Sequence, residues 1–361
     1  MDNKSTYFRG CLLGLAVGDA MGYTVDKKSW YEIERDYGPN GLLGYDLVNG
    51  CADITSYTQL AAFACNGLLL GTIRGNAERY GKFLTLGIRE WAKSQQFRSN
   101  AERTYCWLAQ VPQMRRRHCM DTRMLDALAR PTLGTPEAPV LRSDTPCALT
   151  AAIAAGLCAQ TAQLETLQIG RLGAEAVACT HGDPETFLAG AYLAYAIAGI
   201  LQSPAEPLSN RFSLACTAVE QQFEEQFPQV TDLTAKIRKA MELPRDTELS
   251  PLAAMTLLGC TTAAECMAGA VYACMIHPAN FDEAMIAAVN HSGRSGAVGA
   301  ITGALLGAKL GFDALPEFYL ESLEPVDILC ELADDLTQAR QLMRIFDDSW
   351  DQKYVQGMPA H

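Results

Sequence analysis

Two sets of evenly spaced glycines constrain this chain more than any other feature. Gly10, Gly14, Gly18 and Gly22 recur at every fourth residue, and so do Gly299, Gly303, Gly307 and Gly311. Residues four apart share one face of an α-helix, so each segment presents a bare stripe. A glycine inside a helix costs about 1 kcal/mol relative to alanine, and a row of them needs a return. Close approach of two backbones supplies it. The spacing predicts two helices packed in the centre of one domain, against each other. That pairing joins residues near 20 to residues near 300 and argues against a division at mid-chain.

The helical period continues elsewhere. Leu60, Phe63, Ala64 and Leu68 follow it, as do Met267, Val271 and Met275. Asp183-Pro184-Glu185 and Ser250-Pro251 each set a capping side chain before a first-turn proline. Asn280 with Glu283, and Ser56 with Gln59, resemble capping boxes. Alternating β-branched runs are missing, so the expected fold is all-α, a single large domain over residues 1–361. The main loop is placed at Pro131 to Pro146, where four prolines fall in sixteen residues.

Composition narrows the function classes. A chain of 361 residues that is 49% hydrophobic can bury a sizeable core, which excludes disorder. A net charge of -12 argues against a nucleic-acid partner. The one dense basic run, Arg115-Arg116-Arg117-His118, reads as a solvated helix face. Phe187 to Leu201 is apolar but short of the ~20 residues a membrane span needs, so it reads as a buried helix and no membrane partner is expected. Thirteen cysteines are irregularly spaced without a CxxC pair, which fits neither a disulfide framework nor zinc-ligand spacing. With no leader after Met1-Asp2-Asn3-Lys4, a cytoplasmic location is expected.

Four segments in order carry a family resemblance. They are Gly10-Cys-Leu-Leu-Gly-Leu-Ala-Val-Gly-Asp-Ala-Met-Gly22, Thr55-Ser-Tyr-Thr-Gln-Leu60, Thr180-His-Gly-Asp-Pro184 and Asn290-His-Ser-Gly-Arg-Ser-Gly-Ala-Val-Gly-Ala-Ile301. On these the chain resembles the ADP-ribosylglycohydrolase family, from about residue 7 to about residue 323, with residues 324–361 as a C-terminal helical extension. The resemblance implies an all-helical fold of that type. It also implies a cleft with two magnesium ions and hydrolysis of the bond between ADP-ribose and a protein side chain. Two cations about 4 Å apart need several oxygen ligands. In the family these come from a Ser/Thr-Asp-Asp-Thr run, a Gly-Asp-Ser/Thr-Asp-Thr run and a glutamate.

Here the corresponding positions read Thr55-Ser56-Tyr57-Thr58 and Gly293-Arg294-Ser295-Gly296-Ala297, and the glutamate is Asp26. All four aspartates are missing, and one has become a cation. Hydroxyls and one carboxylate do not hold two hard divalent ions, so no metal ligand is assigned and metal-dependent hydrolysis is expected to be lost. An arginine that the family often carries is replaced by Ala151. Thr55, Ser56, Tyr57, Thr58, His181, Arg294, Ser295 and Gly296 are the candidate ligand-binding residues, with Asp26 the candidate catalytic group. Several have a plain structural alternative. Tyr57 either fills the vacated space or stacks on a base or ribose, and His181 either lines the cleft or bonds locally. Asp19 is a candidate local cap, and Asp183 the cap of the following helix. Arg294 either grips a phosphate or carboxylate or closes the old site against Asp26.

The expectation is a pseudoenzyme that retains an ADP-ribose-like ligand or an ADP-ribosylated protein partner. One alternative is a metal-independent hydrolase of ADP-ribosyl or other N- or O-glycosidic bonds, with Asp26 as base and Arg294 as stabiliser. An arginine facing Asp26 would lower its pKa and weaken that option. The other alternative is a non-catalytic structural or interaction protein. The acid pairs Asp334-Asp335 and Asp347-Asp348 read as a solvated helix face rather than a displaced metal site.

Overall fold

The two glycine stripes face each other. In the computed structural model, which describes residues 3–74, 79–96, 104–118, 121–161, 163–342 and 350–358, the Asn3–Val25 helix runs antiparallel to the Ser295–Leu310 helix. Gly10 lies against Gly307, Gly14 against Gly303 and Gly18 against Gly299. A methyl group on any of them would penetrate the opposite backbone carbonyl, so only glycine permits the contact. Gly311 belongs to the pattern for another reason: it lies just past the helix, at φ 83, and ends it.

Helices make up the fold, and among the described residues the only extended pairings are isolated bridges. Ser56–Ile73 is buried along nearly all its length. Pro184–Gln202 is long and apolar enough to cross a membrane, yet 83% of its apolar window is buried inside the fold, as a core helix would be. Asp183 and Ser250 cap their helices by accepting from the Thr186 and Ala253 amides. Asn280 likewise accepts from Glu283. The proline-rich stretch is irregular between the Thr122–Leu128 helix and the 3-10 helix Pro146–Ala152. The Leu141 carbonyl in this stretch accepts from Gly182 at 2.8 Å, which binds the segment to the Thr180–Asp183 turn.

Three expectations are corrected. Thr55, not Ser56, caps the Ser56–Ile73 helix, and the Gln59 amide turns instead to the Arg116 carbonyl at 2.8 Å and to Trp91 at 3.0 Å. The basic run is no helix face: a 3-10 turn ends at Arg115, and Arg116 pairs with Asp53 and Glu324. Asp334 and Asp335 are not a free solvated face, because Asp334 bonds Arg9 and Ser5 while Asp335 bonds Lys353 and Tyr354. These pairs dock the Val326–Leu342 helix on the first helix and on the 350–358 segment. Asp347 and Asp348 lie outside the described residues. The twelve described cysteines are all free, and most are buried as small apolar side chains.

Candidate functional site

The site grows from two helix starts that meet beside the glycine-paired helices. At the first, Asp19 points from the Asn3–Val25 helix at the opening turn of Ser56–Ile73. Its carboxylate accepts from the Thr55 amide (2.8 Å) and hydroxyl (2.6 Å), and from the Thr58 amide (3.1 Å) and hydroxyl (2.6 Å). Burial pushes the Asp19 carboxyl up, while these bonds pull it down. Both threonine hydroxyls are therefore committed to Asp19, and both residues are inaccessible. Ser56 is also buried, its amide donating to the His118 carbonyl at 3.2 Å.

At the second start, Arg294 is the N-cap residue of Ser295–Leu310, where a cation opposes the helix dipole. Asp26 compensates. Its Oδ1 accepts from the Gly296 amide at 3.2 Å, an anion capping the helix from outside it. Its Oδ2 lies 3.6 Å from Arg294 Nε, with side-chain exposures of 4% for Asp26 and 16% for Arg294. Arg294 Nη2 donates to the Tyr57 hydroxyl at 3.2 Å and to Cys147 Sγ at 3.7 Å. Burial opposes the guanidinium charge, but Tyr57, Asp26 and Cys147 favour it and the net effect is to raise its pKa. The Asp26 carboxyl is raised as well, because burial outweighs Arg294, the Gly296 amide and Lys27. The lowering expected from the arginine alone is thus reversed.

Tyr57 fills the middle of this arrangement. It is 1% exposed, and a Cβ on Gly296 would meet its ring at 3.3 Å and Asp26 Oδ1 at 3.6 Å. Its carbonyl accepts from the Thr150 hydroxyl at 2.7 Å, beside the buried Ala151. Ser295 is buried with its hydroxyl donating to the His291 carbonyl at 3.4 Å. Asp26, Tyr57, Arg294 and Gly296 therefore meet, while Thr55 and Thr58 turn to Asp19. The residues present do not fit two magnesium ions. Of the family's ligand positions one carboxylate remains, and a guanidinium and a phenol ring stand beside it.

His181 occupies a neighbouring position. It is buried, with Nδ1 2.9 Å from the Thr180 hydroxyl and Nε2 3.0 Å from the Thr145 hydroxyl. Burial pushes its pKa down to about 4, so the ring is neutral near pH 7. Asp121, Cys147 and His181 offer ligand atoms that all lie within 4.8 Å of one another. No spacing in the sequence marks this cluster, because the three residues come from separate turns far apart in the chain. Only the Thr180–Pro184 segment and the Pro146 break drew attention to its edges.

Comparison with known proteins places this geometry. A model of the ADP-ribosylglycohydrolase family matches residues 2–345. A solved structure described as an ADP-ribosylglycohydrolase-related protein complex superposes with a TM-score of 0.56 at 20% identity, covering 94% of this chain and 100% of that one. A likeness at that identity speaks for the fold alone. Comparison with curated proteins gives no match. With the family match spanning nearly the whole chain and a solved relative sharing its helical fold, the protein belongs to the ADP-ribosylglycohydrolase family.

Proposed function

We propose that this chain is a non-hydrolytic member of its family, a pseudoenzyme that keeps recognition of an ADP-ribose-like ligand or an ADP-ribosylated protein. The observation that carries the first part is the Arg294–Asp26 pair with Tyr57 packed on Gly296, a cation and a ring where the family's metal chemistry needs carboxylates. Recognition is supported by the partly exposed Arg294, a fixed charge suited to a phosphate. Free cysteines throughout the described residues fit a reducing, cytoplasmic setting.

The test is incubation with ADP-ribosylated arginine and serine peptides, with and without magnesium. No magnesium-dependent release of ADP-ribose is expected, and stimulated release would sink the proposal. Calorimetry with ADP-ribose addresses the retained ligand: wild type gives heat and Arg294→Ala gives less. An absence of heat from both favours a structural or interaction protein.

A second reading, metal-independent hydrolysis of a glycosidic bond, draws on the raised Asp26 carboxyl, whose Oδ2 accepts no protein hydrogen bond. Release of ADP-ribose without magnesium, abolished in Asp26→Asn, would establish it.

A further inference from the structure

The cluster beside the former cleft has the composition of a different kind of site. Asp121 caps the Thr122–Leu128 helix, Cys147 lies in the first turn of the 3-10 helix Pro146–Ala152, and His181 sits in the turn before Pro184–Gln202. We propose that Asp121, Cys147 and His181 form a binding site for one divalent cation of the zinc class. This holds whether or not the family's hydrolysis is lost.

The donor set decides the class of metal. One thiolate, one carboxylate and one neutral imidazole carry two negative charges, which balance a divalent ion, and mixed sulfur, nitrogen and oxygen donors suit zinc rather than magnesium. Ligand atoms around tetrahedral zinc stand about 3.5 Å apart, so donors within 4.8 Å need only side-chain rotation to close on an ion. Binding takes Cys147 as the thiolate and releases its proton to solvent.

The surroundings orient the donors, and Cys147 Sγ accepts from Arg294 Nη2 at 3.7 Å, a bond an ion would have to displace. The Thr180 hydroxyl meets His181 Nδ1 at 2.9 Å and leaves Nε2 turned toward Thr145, two residues before Cys147. Such a partner on the second ring nitrogen is the usual support of a metal-bound histidine. Asp121 is fixed by its own helix start: Oδ1 accepts from the Arg123 amide at 2.9 Å, and Oδ2 accepts from the Arg123 guanidinium at 2.9 Å. Oδ1 also accepts from Arg123 Nε at 3.3 Å, so the lone pair left for an ion is on Oδ2. Asp121 and Thr145 are only partly buried, so an ion has a route from solvent, and the Thr145 hydroxyl or a solvent molecule supplies the fourth position. An ion here would tie the start of the Thr122–Leu128 helix and the end of the proline-rich segment to the Thr180–Asp183 turn.

Cobalt(II) reports on such a site directly. Metal-free full-length protein titrated with cobalt(II) is expected to develop a thiolate-to-cobalt charge-transfer band that saturates at one equivalent. Zinc displaces it and excess magnesium leaves it unchanged. Cys147→Ser leaves the other twelve of the thirteen cysteines in place and is expected to lose the band. Asp121→Asn, a change at a partly exposed position, keeps the thiol and is expected to weaken cobalt binding about a hundredfold. It therefore carries the test even if Cys147→Ser folds poorly. No band in wild type, an equal band in Cys147→Ser, or wild-type affinity in Asp121→Asn overturns the assignment.

Discussion

Arg294 and Asp26 face each other at 3.6 Å without a hydrogen bond between Nε and Oδ2, and the other carboxylate oxygen caps the helix that Arg294 begins. The carboxylate therefore serves two neighbours, a guanidinium and a helix N-terminus. Removing the arginine would leave Asp26 buried without its main counter-charge, which costs about 3 kcal/mol for a pair of this kind. Arg294→Met is expected to lose that much stability at pH 7. The Asp26 carboxyl is already raised in the folded state and would rise further, so the deficit should shrink as acid protonates it. Urea midpoints at pH 7 and pH 5 check this. A loss that is the same at both pH values, or that persists in Asp26→Asn/Arg294→Met, would show that packing of the arginine stem dominates.

Tyr57 and Gly296 are complementary in size, the ring resting where a Cβ would stand 3.3 Å away. Restoring one family carboxylate by Gly296→Asp then adds a clash with Tyr57 and a second negative charge beside Asp26, with an expected loss of about 3 kcal/mol. In a Tyr57→Ala background the clash is relieved, and the same change should cost less by about 1–2 kcal/mol. Chemical denaturation of the four proteins in this cycle measures the coupling. Additive losses would mean that the two positions do not share the space.

What could be read from the sequence follows from how local each signal is. The helix pairing was legible because one glycine every fourth residue is a pattern visible in a single stretch, and two such stretches imply each other. Caps such as Asp183 and Ser250 were legible for the same reason. The exchange of Arg294 and Tyr57 for carboxylates was visible by resemblance, but its meaning was not. Whether Arg294 bonds a ligand or faces Asp26 depends on a rotamer held by Tyr57 and Cys147, neighbours distant in sequence. The direction of the Asp26 shift was misjudged because the desolvation that decides it comes from the whole fold. Asp121 and Cys147 escaped notice since no interval in the chain links them to His181.

The glycine contact makes a sharp stability prediction. Gly14→Ala and Gly303→Ala each drive a methyl into a backbone carbonyl of the opposite helix, and a backbone yields less than a side chain. Each is expected to lose more than about 3 kcal/mol, despite the ~1 kcal/mol gained in helix propensity. Gly44→Ala is the control, since nothing lies within 4 Å of its Cβ position, and it should stay within about 0.5 kcal/mol of wild type. Thermal midpoints decide the matter. Wild-type stability of Gly14→Ala would mean that the two helices can separate without harm.

In the metal-free protein, acid should weaken the fold through two buried histidines. His181 and His291 are both pushed down to about 4 by burial, below the ordinary value near 6.5. The unfolded chain therefore binds protons that the folded chain refuses, and stability falls as pH drops below about 6.5 and continues to fall toward 4. Between pH 7 and pH 5 each histidine contributes a loss of about 2 kcal/mol. Asp19 and Asp26 work in the opposite sense, because their raised carboxyls favour the folded state as they protonate. The wild-type profile is accordingly a difference, and only a comparison isolates the imidazole. His181→Gln can keep a hydrogen bond to Thr145 or Thr180 yet cannot titrate. Its urea midpoint should fall less than that of wild type between pH 7 and pH 5, by the equivalent of about 2 kcal/mol. Parallel profiles for the two proteins would mean that His181 takes up its proton in the folded state as readily as in the unfolded chain.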